Sequence, residues 1–400
     1  MFATNVTIDR FAMDPRFRII VPGSTLGVFG GGQLGRMFTH AAQRLGYRVV
    51  VFTDEHECPA GQVADETIHG DYLDPKAVRQ FAERVDVITL EFENIALEAV
   101  SRAAEITLVR PGVQVLAVAQ HRLNEKRTLQ DAGFVVTPFC EIQSENDIER
   151  AAAELGWPLV LKTVCWGYDG KGQRRVANAE EARSAIELLG PEPLIAEKWI
   201  SYIAEVSVIA ARTATGATAA YPMFSNSHAN HILDITTCPA VPALQGVALE
   251  AESIALRVAN SLKLEGVLCV EFFVSNSCEL LINEIAPRTH NSGHLTIEAC
   301  RTSQFEQQVR AICNLPLGDT SLIQPAAMAN LLGDVWGDGT PHFERALCDS
   351  AMYLHLYGKT GARPGRKMGH LTKLASSAAV AAADVVAARE AMRSTEGKLF

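Results

Sequence analysis

The 400-residue chain contains no apolar run of about 18 residues, so no membrane-spanning helix is predicted and no membrane partner is expected. Its nine cysteines lie singly between Cys58 and Cys348 and never form a Cys-x-x-Cys pair. That spacing gives no zinc or paired-redox signature and fits reduced thiols in a reducing compartment. A basic excess is missing as well: 36 lysines and arginines face 46 aspartates and glutamates, for a net charge of −10. A nucleic-acid coat protein is therefore not expected, although a local basic pocket for a phosphate is compatible with the total. The first 24 residues lack the apolar core of a signal peptide, and a cytoplasmic location is expected. What is present is ordinary: 48% apolar and 20% charged residues, enough for two or three globular domains at roughly 150 residues each.

Residues 1–24 carry mixed charge with little periodicity and read as an extension ahead of the fold. TLGVFG (25–30), YRVVVFTD (47–54) and VDVITLEF (85–92) read as strands, and QLGRMFTHAAQRL (33–45) as a helix stopped by Gly46. Strands alternating with helices predict an α/β fold with a doubly wound parallel sheet. From about residue 121 the pattern changes. HRLNEKRTLQDAG (121–133) reads as a helix, WPLVLKTV (157–164) and PLIAEKWI (193–200) as strands, and 204–213 with 217–224 as a hairpin around Gly216. GVLCVEFFV (266–274) and CELLINEIA (278–286) read as strands joined by Asn276–Ser277. The alanine-rich last sixty residues suggest a small terminal subdomain.

Gly30-Gly31-Gly32-Gln33-Leu34-Gly35 satisfies G-x-G-x-x-G between a strand and a helix, and Asp54 follows about twenty residues on. Glycines there let backbone amides approach an anion at a helix N-terminus. Taken alone, the loop permits a dinucleotide dehydrogenase. The rest of the chain points elsewhere. Lys162 ends a strand just before Gly167-Tyr168-Asp169-Gly170-Lys171-Gly172-Gln173, a loop whose amides and lysine suit phosphates, without the Lys-Ser/Thr pair of a Walker loop. Glu197-Lys198-Trp199-Ile200 closes a strand, where backbone groups suit an adenine edge, and Glu205 suits ribose hydroxyls. Glu271 and Glu284 each interrupt a strongly apolar strand, and buried acids need a partner or a metal. If Asn276–Ser277 is a two-residue turn, Glu271 lies opposite Ile282 and diagonal to Glu284, at a spacing that suits Mg²⁺ carrying nucleotide phosphates. Arg288-Thr289-His290-Asn291-Ser292-Gly293-His294 then supplies donors for an anionic intermediate, and Lys359 with Arg363–Lys367 forms a second basic site.

The ordered set GGGQLGRM, LEFENI, GYDGKGQ, EKWI, INEIAPRTHNSGH and RPGRKMGH, from about residue 25 to 372, closely resembles the 5-(carboxyamino)imidazole ribonucleotide synthase family of ATP-grasp enzymes. The resemblance implies an extension at 1–24, a substrate-binding pre-ATP-grasp domain at 25–122 and a central β-rich lid at 123–209. It places at 210–400 a C-terminal α+β domain with a small terminal β-subdomain. It implies carboxylation of 5-aminoimidazole ribonucleotide by ATP and bicarbonate through carboxyphosphate, with one or two Mg²⁺ or Mn²⁺ as cofactor and a homodimeric state.

By that resemblance, Arg122 and Lys162 touch the ATP phosphates under the loop Gly167, Tyr168, Asp169, Gly170, Lys171, Gly172 and Gln173. Glu197, Lys198, Trp199 and Ile200 frame adenine, with Glu205 on the ribose and His228 nearby. Glu271 and Glu284 hold the metal, and Asn283 joins them at the nucleotide. Gln33, Leu34, Glu91, Tyr168, Asp169, Asn291, Ser292, Lys359 and Arg366 face the aminoimidazole nucleotide. Arg288 and Lys162 act on the transferred phosphoryl group, and Asp169 takes the amine proton. The first glycine loop then serves the substrate, and no nicotinamide is expected. A formate-dependent glycinamide ribonucleotide transformylase is the nearest rival enzyme, and the HNSGH and RPGRKMGH runs argue against it. A non-catalytic nucleotide-binding regulator is disfavoured by the presence of both acids and the arginine.

Overall fold

The computed structural model describes residues 14–393, apart from Glu57, Trp166, Tyr168–Gly170 and Asp338. Five parallel strands, β1 (Thr25–Phe29), β2 (Arg48–Thr53), β3 (Glu66–His69), β4 (Val87–Leu90) and β5 (Leu108–Val109), form a first sheet in the order β3-β2-β1-β4-β5. Helices α1 (Gln33–Arg44), α2 (Pro75–Ala82), α3 (Leu97–Ala104) and α4 (Val113–Ala119) connect and flank them. β1 and β2 are buried almost end to end, as a sheet covered on both faces requires. The strand order reverses between β1 and β4, so the crevice at their C-terminal ends is where such a sheet binds ligands. Gly30–Gly32 and Glu91 lie there. Gly46 adopts φ +84° after α1, the left-handed stop expected of it.

Helix α5 (Arg122–Asp131) leads into a four-stranded antiparallel sheet of β6 (Phe139–Ile142), β7 (Leu159–Thr163), β8 (Gln173–Val176) and β9 (Leu194–Lys198), ordered β6-β9-β7-β8. Two helices, α6 (Asn146–Leu155) and α7 (Ala179–Leu189), cover it, so the lid is an α/β layer with its own core. The Asn178 side chain accepts the Glu181 amide while Glu181 accepts the Ala177 amide, a reciprocal cap that starts α7.

A nine-stranded antiparallel sheet makes the third layer: β10 (Tyr202–Arg212), β11 (Thr218–Ala220), β12 (Phe224–Ala229), β13 (Ile232–Cys238), β14 (Gly266–Ser275), β15 (Leu280–Ala286), β16 (Ala326–Leu332), β17 (Met352–Leu356) and β18 (Lys367–Leu374). Helix α8 (Gln245–Ser261), the short α9 (Thr296–Ala299), α10 (Gln304–Ile312), the short α11 (Phe343–Ala346) and α12 (Ala378–Met392) accompany it. Strand β10 runs unbroken through residues 209 and 210, so the boundary expected there falls inside a strand, and the lid sheet ends at Lys198 instead. The terminal strands extend the same sheet through β13–β16 pairing, while α12 covers a core of their own around Leu331, Met352 and Leu371. The end of the N-terminal extension is anchored: Ile20 is buried, its amide donates to Cys313 and its carbonyl accepts the Tyr47 hydroxyl.

Candidate active site

At the switch point of the first sheet, the α1 N-terminus is closed by the chain's own acid. Glu91, buried, accepts the amides of Gly32 and Gly35, the latter at 2.7 Å. A Cβ on Gly32 would come within 2.4 Å of that carboxylate. Burial raises the Glu91 pKa, and the two amides counter it. This is the position a dinucleotide pyrophosphate needs, which fits the expectation of no nicotinamide. Gln33 and Leu34 begin α1 beside it. Lys359 faces Glu91 from the β17–β18 loop, where burial, with Arg366 next, lowers its pKa to about 8. Gln62 fixes that loop by donating to the Gly358 carbonyl at 2.7 Å, and Arg36 holds Gln62. The Arg366 guanidinium turns onto its own loop, donating to the Thr360 and Gly361 carbonyls.

The second cluster is nearly all charge. Lys162, on β7, donates to Glu197 on β9 at 2.7 Å, and Lys126 of α5 lies 3.6 Å from the same carboxylate. Both lysines and Glu197 are buried. Burial opposes the Glu197 charge, and Lys126 and Lys162 outweigh it, so its pKa is lowered. Arg122, first residue of α5, reaches Glu284 at 3.0 Å and the Gly167 carbonyl at 3.3 Å. It thereby ties β15 to the glycine loop. Gln173 pairs with Lys162 across β7–β8, so the loop is a hairpin; Gly172 closes it at φ +69° and Lys171 sits exposed at its rim. Expectations placed on Tyr168, Asp169 and Gly170 fall outside the described residues. The Lys198 and Trp199 amides are taken by the Pro138 and Pro158 carbonyls, which leaves the Ile200 amide as the unpartnered donor of that stretch among the described residues. Glu205 accepts the Tyr202 hydroxyl at 2.5 Å and lies 2.9 Å from His228.

Glu271 and Glu284 are direct cross-strand partners, not diagonal ones. The hairpin holds three residues, Asn276, Ser277 and Cys278, with Cys278 at φ +62°, so Ile282 faces Phe272. A bulge then sets Asn283 and Glu284 together against Glu271. Lys126 holds the bulge through the Asn283 carbonyl at 2.7 Å, and the buried Oδ1 of Asn283 finds no partner among the described residues. Nearby, His290 lies 2.8 Å from Glu271. Arg288 forms a two-pronged ion pair with Glu93, one contact at 3.0 Å. Burial opposes the Glu93 charge, but Arg288 brings its pKa down to about 2. Asn291 keeps both amide atoms buried and unpartnered among the described residues, whereas Ser292 is spent inside the protein on Ser207 and His290.

Glu93, Lys126 and His290 were not singled out by sequence. Glu93 sits in LEFENI, two residues past Glu91, where a second acid after an apolar strand was the available signal. His290 lies within the donor run but carried no separate assignment, and Lys126 carried no signal. Segment 91–93 joins the two clusters, Glu91 facing the first and Glu93 the second.

A family model for the ATP-grasp domain matches residues 127–305, one for the ribonucleotide synthetase preATP-grasp domain matches 24–120, and one for the phosphoribosylaminoimidazole carboxylase C-terminal domain matches 326–384. The lid, the lysine–acid cluster beneath it and the paired strand acids define an ATP-grasp enzyme. An N5-carboxyaminoimidazole ribonucleotide synthase of Bacillus subtilis (strain 168) is 42% identical over 355 residues, covering 89% of this chain and 92% of its own. The Staphylococcus aureus N5-carboxyaminoimidazole synthetase complexed with ADP superposes with a TM-score of 0.87 at 36% identity, covering 94% of this chain and 100% of its own. The Aspergillus clavatus synthase in complex with ADP and 5-aminoimidazole ribonucleotide does so at 0.84 and 31%, covering 92% and 98%. The chain belongs to the N5-carboxyaminoimidazole ribonucleotide synthase family of ATP-grasp ligases.

Proposed function

We propose that this chain carboxylates 5-aminoimidazole ribonucleotide with bicarbonate at the expense of ATP, forming the N5-carboxylated nucleotide, ADP and phosphate in purine biosynthesis. The observation that carries this reading is the junction of two anion-binding clusters at residues 91–93. One is built of Lys162, Arg122 and the glycine hairpin for a nucleoside triphosphate. The other is built of the α1 loop, Lys359 and Asn291 for the second nucleotide.

Bicarbonate is a poor electrophile, so an oxygen of bicarbonate attacks the γ-phosphorus and the β–γ bridging bond breaks, releasing ADP and forming carboxyphosphate. Lys162 and Arg122 orient the phosphates, and their present partners, Glu197 and Glu284, hold them in place beforehand. Arg288, fixed by Glu93, still has two N–H groups unspent for the carboxyphosphate anion. The exocyclic amine of the nucleotide then attacks the carboxyl carbon directly, or as CO₂ released from carboxyphosphate, and phosphate leaves. Asp169 is the proposed acceptor of the amine proton.

The acids Glu271 and Glu284, with the orphaned Oδ1 of Asn283, offer the hard oxygen set that Mg²⁺ or Mn²⁺ requires. One or two such ions would neutralise phosphate charge during transfer. Ile200 and Glu205 are the adenine and ribose contacts in this reading. Arg366 acts by shaping the loop that presents Lys359, and His228 acts by holding Glu205. The homodimer and the cytoplasmic setting belong to the same proposal; no helix among the described residues is long and apolar enough to cross a membrane.

The test is ADP release measured with each substrate omitted in turn. Release that needs both bicarbonate and 5-aminoimidazole ribonucleotide is expected. Release supported by formate instead of bicarbonate would overturn the reading.

A further inference from the structure

Cys269 is fully buried in β14, two residues before Glu271 and therefore on the same face of the strand. A buried cysteine by itself reads as packing. Here, however, its sulfur has two companions of a different kind. Ligand atoms of Cys269, Glu271 and His290 all lie within 4.8 Å of one another, and the Glu271 and His290 side chains are 16% and 15% exposed.

We propose that Cys269, Glu271 and His290 form a binding site for a thiophilic divalent cation, Zn²⁺ by its ligand chemistry, that competes for Glu271. The donor set is one sulfur, one imidazole nitrogen and one carboxylate oxygen, with a fourth position left to water, which is the pattern of an open zinc site. Sulfur excludes Mg²⁺ and Ca²⁺, which take oxygen ligands, so this site and the oxygen set at Glu284 and Asn283 sort cations by softness.

The geometry needs little adjustment. Tetrahedral zinc with bonds of about 2.0–2.3 Å sets ligand atoms roughly 3.3–3.7 Å apart. The Glu271–His290 edge, at 2.8 Å, opens slightly, and the edges to sulfur lie within 4.8 Å. His290 is also fixed from behind by a hydroxyl that can take a ring proton. Its Nδ1 lies 2.9 Å from the Ser292 hydroxyl, which accepts from Ser207 at 2.9 Å; Ser207 accepts from Asn226 at 2.8 Å. Nδ1 also accepts the Ser292 amide at 3.3 Å, so zinc on Nε2 moves the ring proton to Nδ1, where it goes to the Ser292 hydroxyl and the amide contact is given up. The Ser292 hydroxyl hydrogen is then free to turn to the Cys269 sulfur, 4.0 Å away. The thiol proton of Cys269 is released to solvent on binding.

The site itself stands on these contacts alone. Its consequence for turnover, inhibition by zinc that a chelator reverses and excess Mg²⁺ opposes, rests on the magnesium reading of Glu271.

The experiment uses the full chain carrying Cys278→Ser and Cys348→Ser, which removes its exposed thiols, and Zn²⁺ alone as probe. Equilibrium dialysis should find one tight zinc per chain, and X-ray absorption at the zinc edge should find a single sulfur in its shell. Cys269→Ala should weaken binding by at least about 100-fold, the upper end of what loss of even an outer-shell partner does. A zinc shell without sulfur, or undiminished binding by Cys269→Ala, would overturn the site. If Cys269→Ala does not fold, the sulfur count on the parent decides alone. The magnesium reading is tested separately, by the Mg²⁺ dependence of turnover without zinc. Its failure would leave the dialysis result standing, and failure of the dialysis would leave the Mg²⁺ dependence untouched.

Discussion

Lys359 is half-buried between Glu91 and the basic loop at 363–367, and its pKa is lowered to about 8 by burial first and by Arg366 second. Its ammonium is therefore charged below about pH 8 and lost above it. If that charge holds the phosphate of the aminoimidazole nucleotide, kcat/KM for this substrate falls as pH rises through about 8, since that ratio reports the free enzyme. Lys359→Arg should move the falling limb upward, because a guanidinium keeps its proton over the whole range. A rate that instead rises through pH 8 would show that the neutral amine is the working form. Glu284→Gln belongs to the same scale. A neutral amide cannot offset a divalent cation, and Arg122 loses its partner, so ATP turnover should fall about 10²- to 10³-fold, as for other preorganised contacts to a developing charge. Near-normal turnover at saturating Mg²⁺ would count against the assignment. The paired acids of β14 and β15 were legible because each broke an apolar run. Lys126 was not: HRLNEKRTLQ reads as a solvated helix face, and apolar periodicity has no means of marking titratable residues buried by their neighbours. Lys126 is 1% and Glu125 3% exposed, because α5 is pressed between β15 and the lid, which only the tertiary structure contains.

At the scale of elements, the strands and glycine turns were readable from residue pattern, but register was not. One extra residue in the Asn276–Cys278 hairpin and one bulge at Asn283 turn a diagonal pair of acids into facing ones. Both are single-residue choices that alternation of apolar and polar residues leaves open. The hairpin joining β7 to β8 makes the same point about turns. Gly172 sits at φ +69°, and a Cβ there would lie 2.6 Å from the Thr163 hydroxyl. Thr163 is also the residue whose amide donates to the Gly172 carbonyl at 2.8 Å. Gly172→Ala should therefore cost about 1–2 kcal/mol in backbone strain alone and displace the loop over the ATP phosphates. The expected result is a lower melting temperature with a raised KM for ATP and little change in KM for the aminoimidazole nucleotide. Equal rises in both constants would show that the hairpin serves the whole site and not the triphosphate.

For the molecule as a whole, the first and third layers share a core, while the lid keeps its own and touches the third-layer core through Phe139. Phe305, Val309 and Ile312 of α10, a third-layer helix, are buried with Val28, Met37 and Phe38 of the first domain. Polar ties run across the same boundary. Gln308 donates to the Thr89 hydroxyl at 2.7 Å, and Arg110, 1% exposed, spans the Ile312 carbonyl and Glu265 at 2.5 Å each. An amphipathic sequence such as QFEQQVRAI marks a face for burial but does not say against what, so this joint could not be read from the chain. The lid buries Leu159, Leu161, Ile148 and Leu194 in a separate cluster. Truncating Phe305 to Ala should cost about 3–5 kcal/mol and truncating Leu159 to Ala about 2–5 kcal/mol, so the two are comparable in size. Their reach should differ. In hydrogen exchange, Phe305→Ala is expected to speed exchange in α1 and β1 as well as in α10 and β14, because the shared core loosens as one unit. Leu159→Ala should speed exchange within residues 139–198 and leave α1 and α10 protected. If Phe305→Ala were felt only within α10, the two layers would be separate units in contact. The two charged clusters that meet at residues 91–93 would then lack the rigid frame that keeps them in register.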